Sequence, residues 1–348
     1  MERCPSGRRS TPGERMNGKP FRGFESHPLR EKEKKGSESF FSERPGSEAS
    51  ERRGHPRKST EGDSRMGKKK SVLDFYEMKK GREKITFLTC YDYPTATFAE
   101  KAGLDMLLVG DSLGMVVYGY EGTIPVTMEQ MIVHAEAVRR GAPNTFVIGD
   151  MPFMSYQESV DKAIYNAGRF YKEANVDAIK LEGGRRVINQ IKGIVDAGMV
   201  VMGHIGLTPQ SSGQLGGFKA QGRTAKSAME LILDAKAIEE AGAFAILLEA
   251  VTPEVGKIIT ERSRIPILGI GTGIDCDGQV LIVGDMLGLS EAFTPKFEKK
   301  YASLSNDVTK AFREYIQDVK EEKFPEEKHV YKMEPGEREK LEKLISDI

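Results

Sequence analysis

From about residue 84 the chain settles into a repeating pattern: short β-branched apolar runs end in Gly or a polar residue, and longer segments with helical spacing follow. The runs Ile85–Cys90, Met106–Val109, Phe146–Ile148, Ala178–Leu181, Val200–Gly203, Ala245–Leu248, Ile267–Ile270 and Val280–Val283 read as strands. Between them Met128–Arg140, Tyr156–Ala174, Val187–Ala197, Ala225–Ala241 and Pro253–Glu261 read as helices. Gly141, Gly198 and Gly242 stand where helix C-caps are expected. Alternating strands and helices predict a parallel sheet, and eight strands is the number at which closure is usual. The expected fold class is therefore α/β, a (β/α)8 TIM barrel. Only GTGIDCDGQ separates Ile270 from Val280, too little for a full helix, so the seventh unit is expected to lack one. After Asp285 the pattern predicts extra C-terminal helices around Val308–Lys323 and Glu337–Ser346, placed to cover the barrel or a subunit neighbour.

Residues 1–65 differ from everything after them, containing no Val, Ile, Tyr or Trp and being dominated by Arg, Glu, Ser, Gly, Lys and Pro. Such a segment buries too little apolar surface to offset its ordering entropy, and disorder is expected. The text from Met66 reads like an ordinary protein start, so translation from Met66 is the expectation, with 66–348 as a single catalytic domain. A targeting or RNA-binding tail is the competing reading, but the acidic residues fit a transit peptide poorly.

Composition narrows the partners. With 52 Lys+Arg against 52 Asp+Glu the formal net charge is zero, which argues against nonspecific nucleic-acid binding and favours a small-molecule partner. Cys4, Cys90 and Cys276 are odd in number and far apart, so no disulfide framework or CxxC motif can be drawn. No apolar stretch approaches a membrane span or a signal-peptide core. A soluble, cytoplasmic protein is expected.

In such barrels the reacting groups sit at the C-terminal ends of strands, where side chains converge on one mouth. The second strand ends in Gly110-Asp111-Ser112, the third in Gly149-Asp150, the fourth in Lys180-Leu181-Glu182, the fifth in Gly203-His204 and the sixth in Glu249. Lys180 and Glu182 are two apart, so strand alternation points them to the same side. Any one Asp after a strand is commonly just a helix cap. Three acids on successive strand ends are harder to explain that way, and their crowding calls for a cation or protons. Asp111, Asp150 and Glu182 offer only oxygen, and no HxH, HExxH or Cys cluster points to zinc, so Mg²⁺ is the expected ion. Lys180 could form a Schiff base with a carbonyl substrate, hold a substrate carboxylate, or simply pair with its acidic neighbours; those acids favour metal chemistry over an imine. Glu249 has no obvious metal role and suits a general base in a closed pocket. His204, a candidate substrate contact, opens the Gly- and Ser-rich loop HIGLTPQSSGQLGGFKAQGR, which reads as a lid. His134 reads as packing or surface, and GIGTGIDCDG as tight turns, because no helix or Lys-Ser/Thr pair follows to make a phosphate loop.

Long strings of the chain resemble the ketopantoate hydroxymethyltransferase family: VGDSLGMVVYGYEGTIPVTMEQMIVHAEAVRRGAP (109–143), DMPFMSY (150–156), IKLEGG (179–184), GHIGLTPQS (203–211), LLEAV (247–251) and GIGTGIDCDGQVLIVGDMLG (269–288). The likeness runs from about Ser71 to the early 330s and leaves residues 1–65 without a counterpart. It implies a barrel related to the phosphoenolpyruvate mutase/isocitrate lyase group, assembled as a homodecamer. It further implies one Mg²⁺ per subunit at Asp111, Asp150 and Glu182, 2-oxo acid contacts at Asp111, Ser112, Asp150 and Lys180, and Glu249 as proton acceptor. The implied reaction joins 3-methyl-2-oxobutanoate to a one-carbon unit from the co-substrate 5,10-methylenetetrahydrofolate, giving 2-dehydropantoate and tetrahydrofolate for pantothenate synthesis. No local motif marks a pterin site. The nearest competing expectation is a related Mg²⁺-dependent barrel lyase or mutase; a noncatalytic RNA-binding protein would leave the strand-end groups unexplained.

Overall fold

The computed structural model describes residues 69–217, 219–289, 295–346 and 348, so the expectations for residues 1–65 lie outside the described residues. Eight parallel strands close in chain order: β1 (Ile85–Thr89), β2 (Met106–Val109), β3 (Phe146–Asp150), β4 (Ala178–Glu182), β5 (Val201–Gly206), β6 (Ala245–Glu249), β7 (Ile267–Ile270) and β8 (Gly278–Leu281). The ring is completed by β8 pairing with β1, Ile85 opposite Gly278. The expected barrel and each of its strands are therefore present, β2 and β7 with the expected bounds and the others with ends displaced by one to three residues.

The helices are α1 (Val72–Gly81), α2 (Tyr93–Ala102), α3 (Leu113–Val116), α4 (Met128–Gly141), α5 (Val160–Ala174), α6 (Ile188–Asp196), α7 (Ser212–Leu215), α8 (Ala225–Glu240), α9 (Pro253–Arg262), α10 (Val283–Met286), α11 (Leu304–Lys320) and α12 (Glu337–Ser346). No helix joins β7 to β8, as the short spacing predicted. None of the described helices is long and apolar enough to cross a membrane. Two ten-residue helices escaped the pattern, as did the short α3, α7 and α10. α2 buries only Ala96 and Ala99, residues too small to give a strong apolar period, and is started by Asp92, whose side chain accepts from Thr95 N–H. α1 lies ahead of the first strand, and its buried Phe75 and Met78 close the N-terminal end of the barrel.

At that end Phe75 meets Phe146 edge-on, with ring centroids 5.1 Å apart, and Phe146 lies 5.5 Å from Phe244. Full burial of each such side chain contributes about 1.5–3 kcal/mol. Above this cluster Phe87, Leu108, Ile148, Met202, Leu247 and Leu268 fill the barrel interior, while a second apolar layer joins the outer strand faces to the helices.

Three expectations need correction. Gly141 is the last residue of α4, not its cap; a Cβ there would overlap the Tyr93 carbonyl and the Ala96 methyl, so Gly141 serves the close approach of α4 to α2. Gly242, at φ +92°, does sit just past its helix in the left-handed region that glycine favours. The helix expected from Tyr156 starts at Val160, because the Ser159 side chain accepts from Lys162 N–H and fixes the start there. α11 buries none of its residues, so it does not cover its own barrel.

Candidate active site

Strand register builds the site. β3 and β4 place Asp150 beside Lys180, β4 and β5 place Glu182 beside His204, and β6 ends on Glu249 opposite Gly206. Lys180 Nζ lies 2.9 Å from Asp150 Oδ1, 3.6 Å from Glu182 Oε1 and 3.2 Å from His204 Nδ1. His204 Nδ1 is also 3.2 Å from Glu182 Oε1, and its Nε2 is 3.4 Å from Glu249 Oε2. Asp111 joins the row through its backbone N–H, which donates to Asp150 Oδ2 at 2.9 Å. The structure thus gathers Asp111, Asp150, Lys180, Glu182, His204 and Glu249 into one chain of contacts. Ser112 stands at its edge, where its Oγ is 2.8 Å from the Tyr91 hydroxyl.

Burial makes these charges matter. The side chains of Lys180, Asp150 and Glu182 are 3, 2 and 1 % exposed, whereas Glu249 is 17 % exposed. Glu249 ends β6, and Ala250 after it holds the left-handed region at φ +50°. Burial, then repulsion from Asp150 and Glu182, pushes the Asp111 carboxyl well above the usual range. Burial also raises Asp150, against the opposing pull of Lys180. Glu182 goes the other way, since His204 and Lys180 outweigh its desolvation. Burial alone would neutralise Lys180, yet Asp150, Glu182 and Asp111 raise its pKa above the ordinary lysine value. An ammonium held charged in this way is a poor imine-forming nucleophile, which needs the free amine. For His204, burial and Lys180 favour the neutral ring, but Glu182 and Glu249 prevail and raise its pKa. His204 Nδ1 thus lies within reach of both the Lys180 ammonium and the Glu182 carboxylate.

The donor set fits a hard cation. Each carboxylate has one oxygen committed: Asp111 Oδ2 accepts from Gln210 Nε2 at 2.9 Å, Asp150 Oδ2 from Asp111 N–H at 2.9 Å, and Glu182 Oε2 from Gln210 N–H at 3.1 Å. Asp150 Oδ1 is buried with no hydrogen-bond partner, because Lys180 reaches it at ion-pair distance but off the hydrogen-bonding directions. An unsatisfied buried carboxylate oxygen beside two other acids is where a divalent ion relieves both desolvation and repulsion. Among the described residues no three His, Cys, Asp or Glu side chains are gathered tightly enough to cage an ion by themselves.

Gln210, Tyr156 and Tyr91 were not anticipated. Gln210 is the second residue of a 3-10 turn (Pro209–Ser211) after β5, and nothing in the sequence sets it apart from other loop amides. Tyr156 was read as helix, but its hydroxyl accepts from Glu182 N–H at 3.1 Å beneath the site. The lid expected after His204 is pinned at both ends, by Gln210 and by Gln221, whose N–H donates to Ala250 O at 2.8 Å. His134 packs against Tyr118, and Gly271 and Gly273 form the expected tight turns.

A closed parallel barrel with acids, a lysine and a histidine on successive strand ends is the architecture of (β/α)8 enzymes, whose reacting groups gather at the C-terminal mouth. The ketopantoate hydroxymethyltransferase family profile matches residues 69–327. The 3-methyl-2-oxobutanoate hydroxymethyltransferase of Alkaliphilus metalliredigens is 61 % identical over 283 residues, covering 81 % of this chain and 100 % of that protein. The enzyme of the same name from Carboxydothermus hydrogenoformans is 54 % identical over 271 residues, covering 78 % and 98 %. Among solved structures, phosphonopyruvate hydrolase in complex with oxalate and Mg²⁺ shares the fold at a TM-score of 0.50 and 14 % identity, covering 79 % of this chain and 96 % of that one. The chain belongs to the ketopantoate hydroxymethyltransferase family and is a hydroxymethyltransferase.

Proposed function

We propose that the protein transfers a hydroxymethyl group from 5,10-methylenetetrahydrofolate to 3-methyl-2-oxobutanoate, giving 2-dehydropantoate and tetrahydrofolate, a cytoplasmic step of pantothenate biosynthesis. The observation that carries this reading is the strand-end row, in which three acids each have one oxygen fixed by a neighbouring N–H and a charged Lys180 lies against two of them. The names of the relatives supply the substrate and the reaction type.

Asp111, Asp150 and Glu182 would hold one Mg²⁺ per subunit, partly through water, and the Mg²⁺ of the phosphonopyruvate hydrolase complex is in keeping with this. The ion supplies Lewis acidity that stabilises negative charge on a 2-oxo acid. Lys180 and Ser112, with Asp111 and Asp150, orient the oxo acid; Tyr91 keeps its proton because burial raises its pKa, so it steadies the Ser112 hydroxyl. Glu249, at the open mouth, takes the C3 proton, and His204 lies between it and Glu182 to hold its direction. Carbon C3 then bonds to the methylene carbon of the donor as one of its two bonds to folate nitrogen breaks, that nitrogen taking up the proton removed from C3. Water then displaces the second folate nitrogen, its oxygen completing the hydroxymethyl group and its proton passing to that nitrogen. The exposed apolar side of α11, with Phe312, Ile316 and Val319 at helical spacing, supports a homo-oligomer, and we take it as a decamer.

Purified protein with Mg²⁺, 3-methyl-2-oxobutanoate and methylenetetrahydrofolate should form 2-dehydropantoate and tetrahydrofolate one for one. Absence of that product together with cleavage of isocitrate-like acids would replace this reading by the lyase one.

A further inference from the structure

One buried amide, that of Gln210, is hydrogen-bonded to the site on every side. Gln210 Nε2 donates to Asp111 Oδ2 and to Met151 O, each at 2.9 Å. Its Oε1 accepts from the Tyr156 hydroxyl at 2.7 Å and from Gln157 Nε2 at 3.2 Å. Two donors and two acceptor directions are everything a glutamine side chain has, and all are used. Neither a carbonyl nor an acceptor oxygen of Asp111 could face Oε1, so the amide has one orientation. Its backbone N–H meanwhile donates to Glu182 Oε2 at 3.1 Å. A residue that follows β5 is thereby tied to groups at the ends of β2, β3 and β4.

We infer that Gln210 is a positioning residue that selects which oxygens of Asp111 and Glu182 face the reacting centre. Its side chain holds Asp111 Oδ2 and its backbone holds Glu182 Oε2, which turns Asp111 Oδ1 to the cation and its waters and Glu182 Oε1 to His204 and Lys180. It also couples the loop after β5 to the acids, because the loop cannot lift without releasing both. This inference rests on the proposed use of a divalent ion and a 2-oxo acid at that mouth.

The test uses the full chain and Mn²⁺ as a spectroscopic probe. Mn²⁺ affinity is measured by electron paramagnetic resonance with and without 3-methyl-2-oxobutanoate, alongside kcat, KM for the folate donor and the melting temperature. Gln210→Met keeps the length and removes every side-chain hydrogen bond; Gln210→Asn keeps an amide one methylene short. Both should bind Mn²⁺ about 10–100-fold more weakly than wild type, with kcat reduced over a similar range and KM for the folate donor unchanged. A purely structural role would lower the melting temperature and leave the Mn²⁺ affinity of the folded protein alone. Wild-type affinity in the folded variants overturns the inference, and if Gln210→Met does not fold, Gln210→Asn decides it. Failure of the wild type to bind Mn²⁺ would instead overturn the functional reading beneath it.

Discussion

The two ends of this barrel are built from the same strands on opposite terms. β3 enters at Phe146 and leaves at Asp150, and strand alternation turns Phe146, Ile148 and Asp150 all inward. Both terminal residues are buried, Phe146 at 4 % and Asp150 at 1 % exposure, so burial does not distinguish the ends. Chemistry does. At the N-terminal end Phe75, Phe146 and Phe244 satisfy one another by contact alone. At the C-terminal end Asp150 keeps an oxygen with no hydrogen bond, Asp111 is pushed toward protonation, and Ala250 holds a left-handed backbone. One end is optimised for stability; the other crowds three buried acids around one lysine and one histidine.

Substitutions at the two ends should separate these roles. The largest effect is expected for Lys180→Met, which leaves buried acids without their cation: a loss of about 3–5 kcal/mol in denaturant unfolding, together with loss of turnover. Added Mg²⁺ should recover part of that stability through linkage, and a loss insensitive to Mg²⁺ would break the contrast. Phe75→Ala should cost a similar amount, about 3–5 kcal/mol, while turnover per folded molecule stays at wild type and Mg²⁺ gives no extra recovery. Ala250→Gly should stabilise by about 1 kcal/mol through relief of backbone strain, yet slow turnover several-fold as Glu249 loses its fixed direction. Equal stability and rate would remove strain from the account.

The smallest effect concerns pH at the stable end. Glu239 is buried enough for desolvation to raise its pKa, but Ser263 and Arg264 outweigh this and lower it. A lowered folded pKa means that its stabilisation is fully present above the ordinary glutamate value and disappears as pH falls through the folded one. Unfolding of wild type and Glu239→Gln should therefore differ by less than about 1 kcal/mol at neutral pH, with the gap closing in acid.

Periodicity made the strands legible, and the barrel rule then placed Asp111, Asp150, Lys180, Glu182, His204 and Glu249 at one mouth before any contact was known. What stayed hidden depends on side chains that periodicity does not weigh. α2 packs through alanines, and Gly141 is defined by a helix–helix approach. Gln210 owes its place to a turn geometry that leaves no mark in composition. Tyr156 looked helical only because Ser159, three residues later, was not recognised as the start of α5. The identity of the oxo acid came from resemblance and relatives, not from strand-end chemistry, which specifies only a metal-assisted carbanion site.

Solvent deuterium exchange at C3 of 3-methyl-2-oxobutanoate, followed without the folate donor, tests the central claim most directly. Wild type should exchange that proton only with Mg²⁺ present, and Glu249→Gln should be slower by about 10²–10⁴-fold. Undiminished exchange in the variant, or Mg²⁺-independent exchange in wild type, would contradict it.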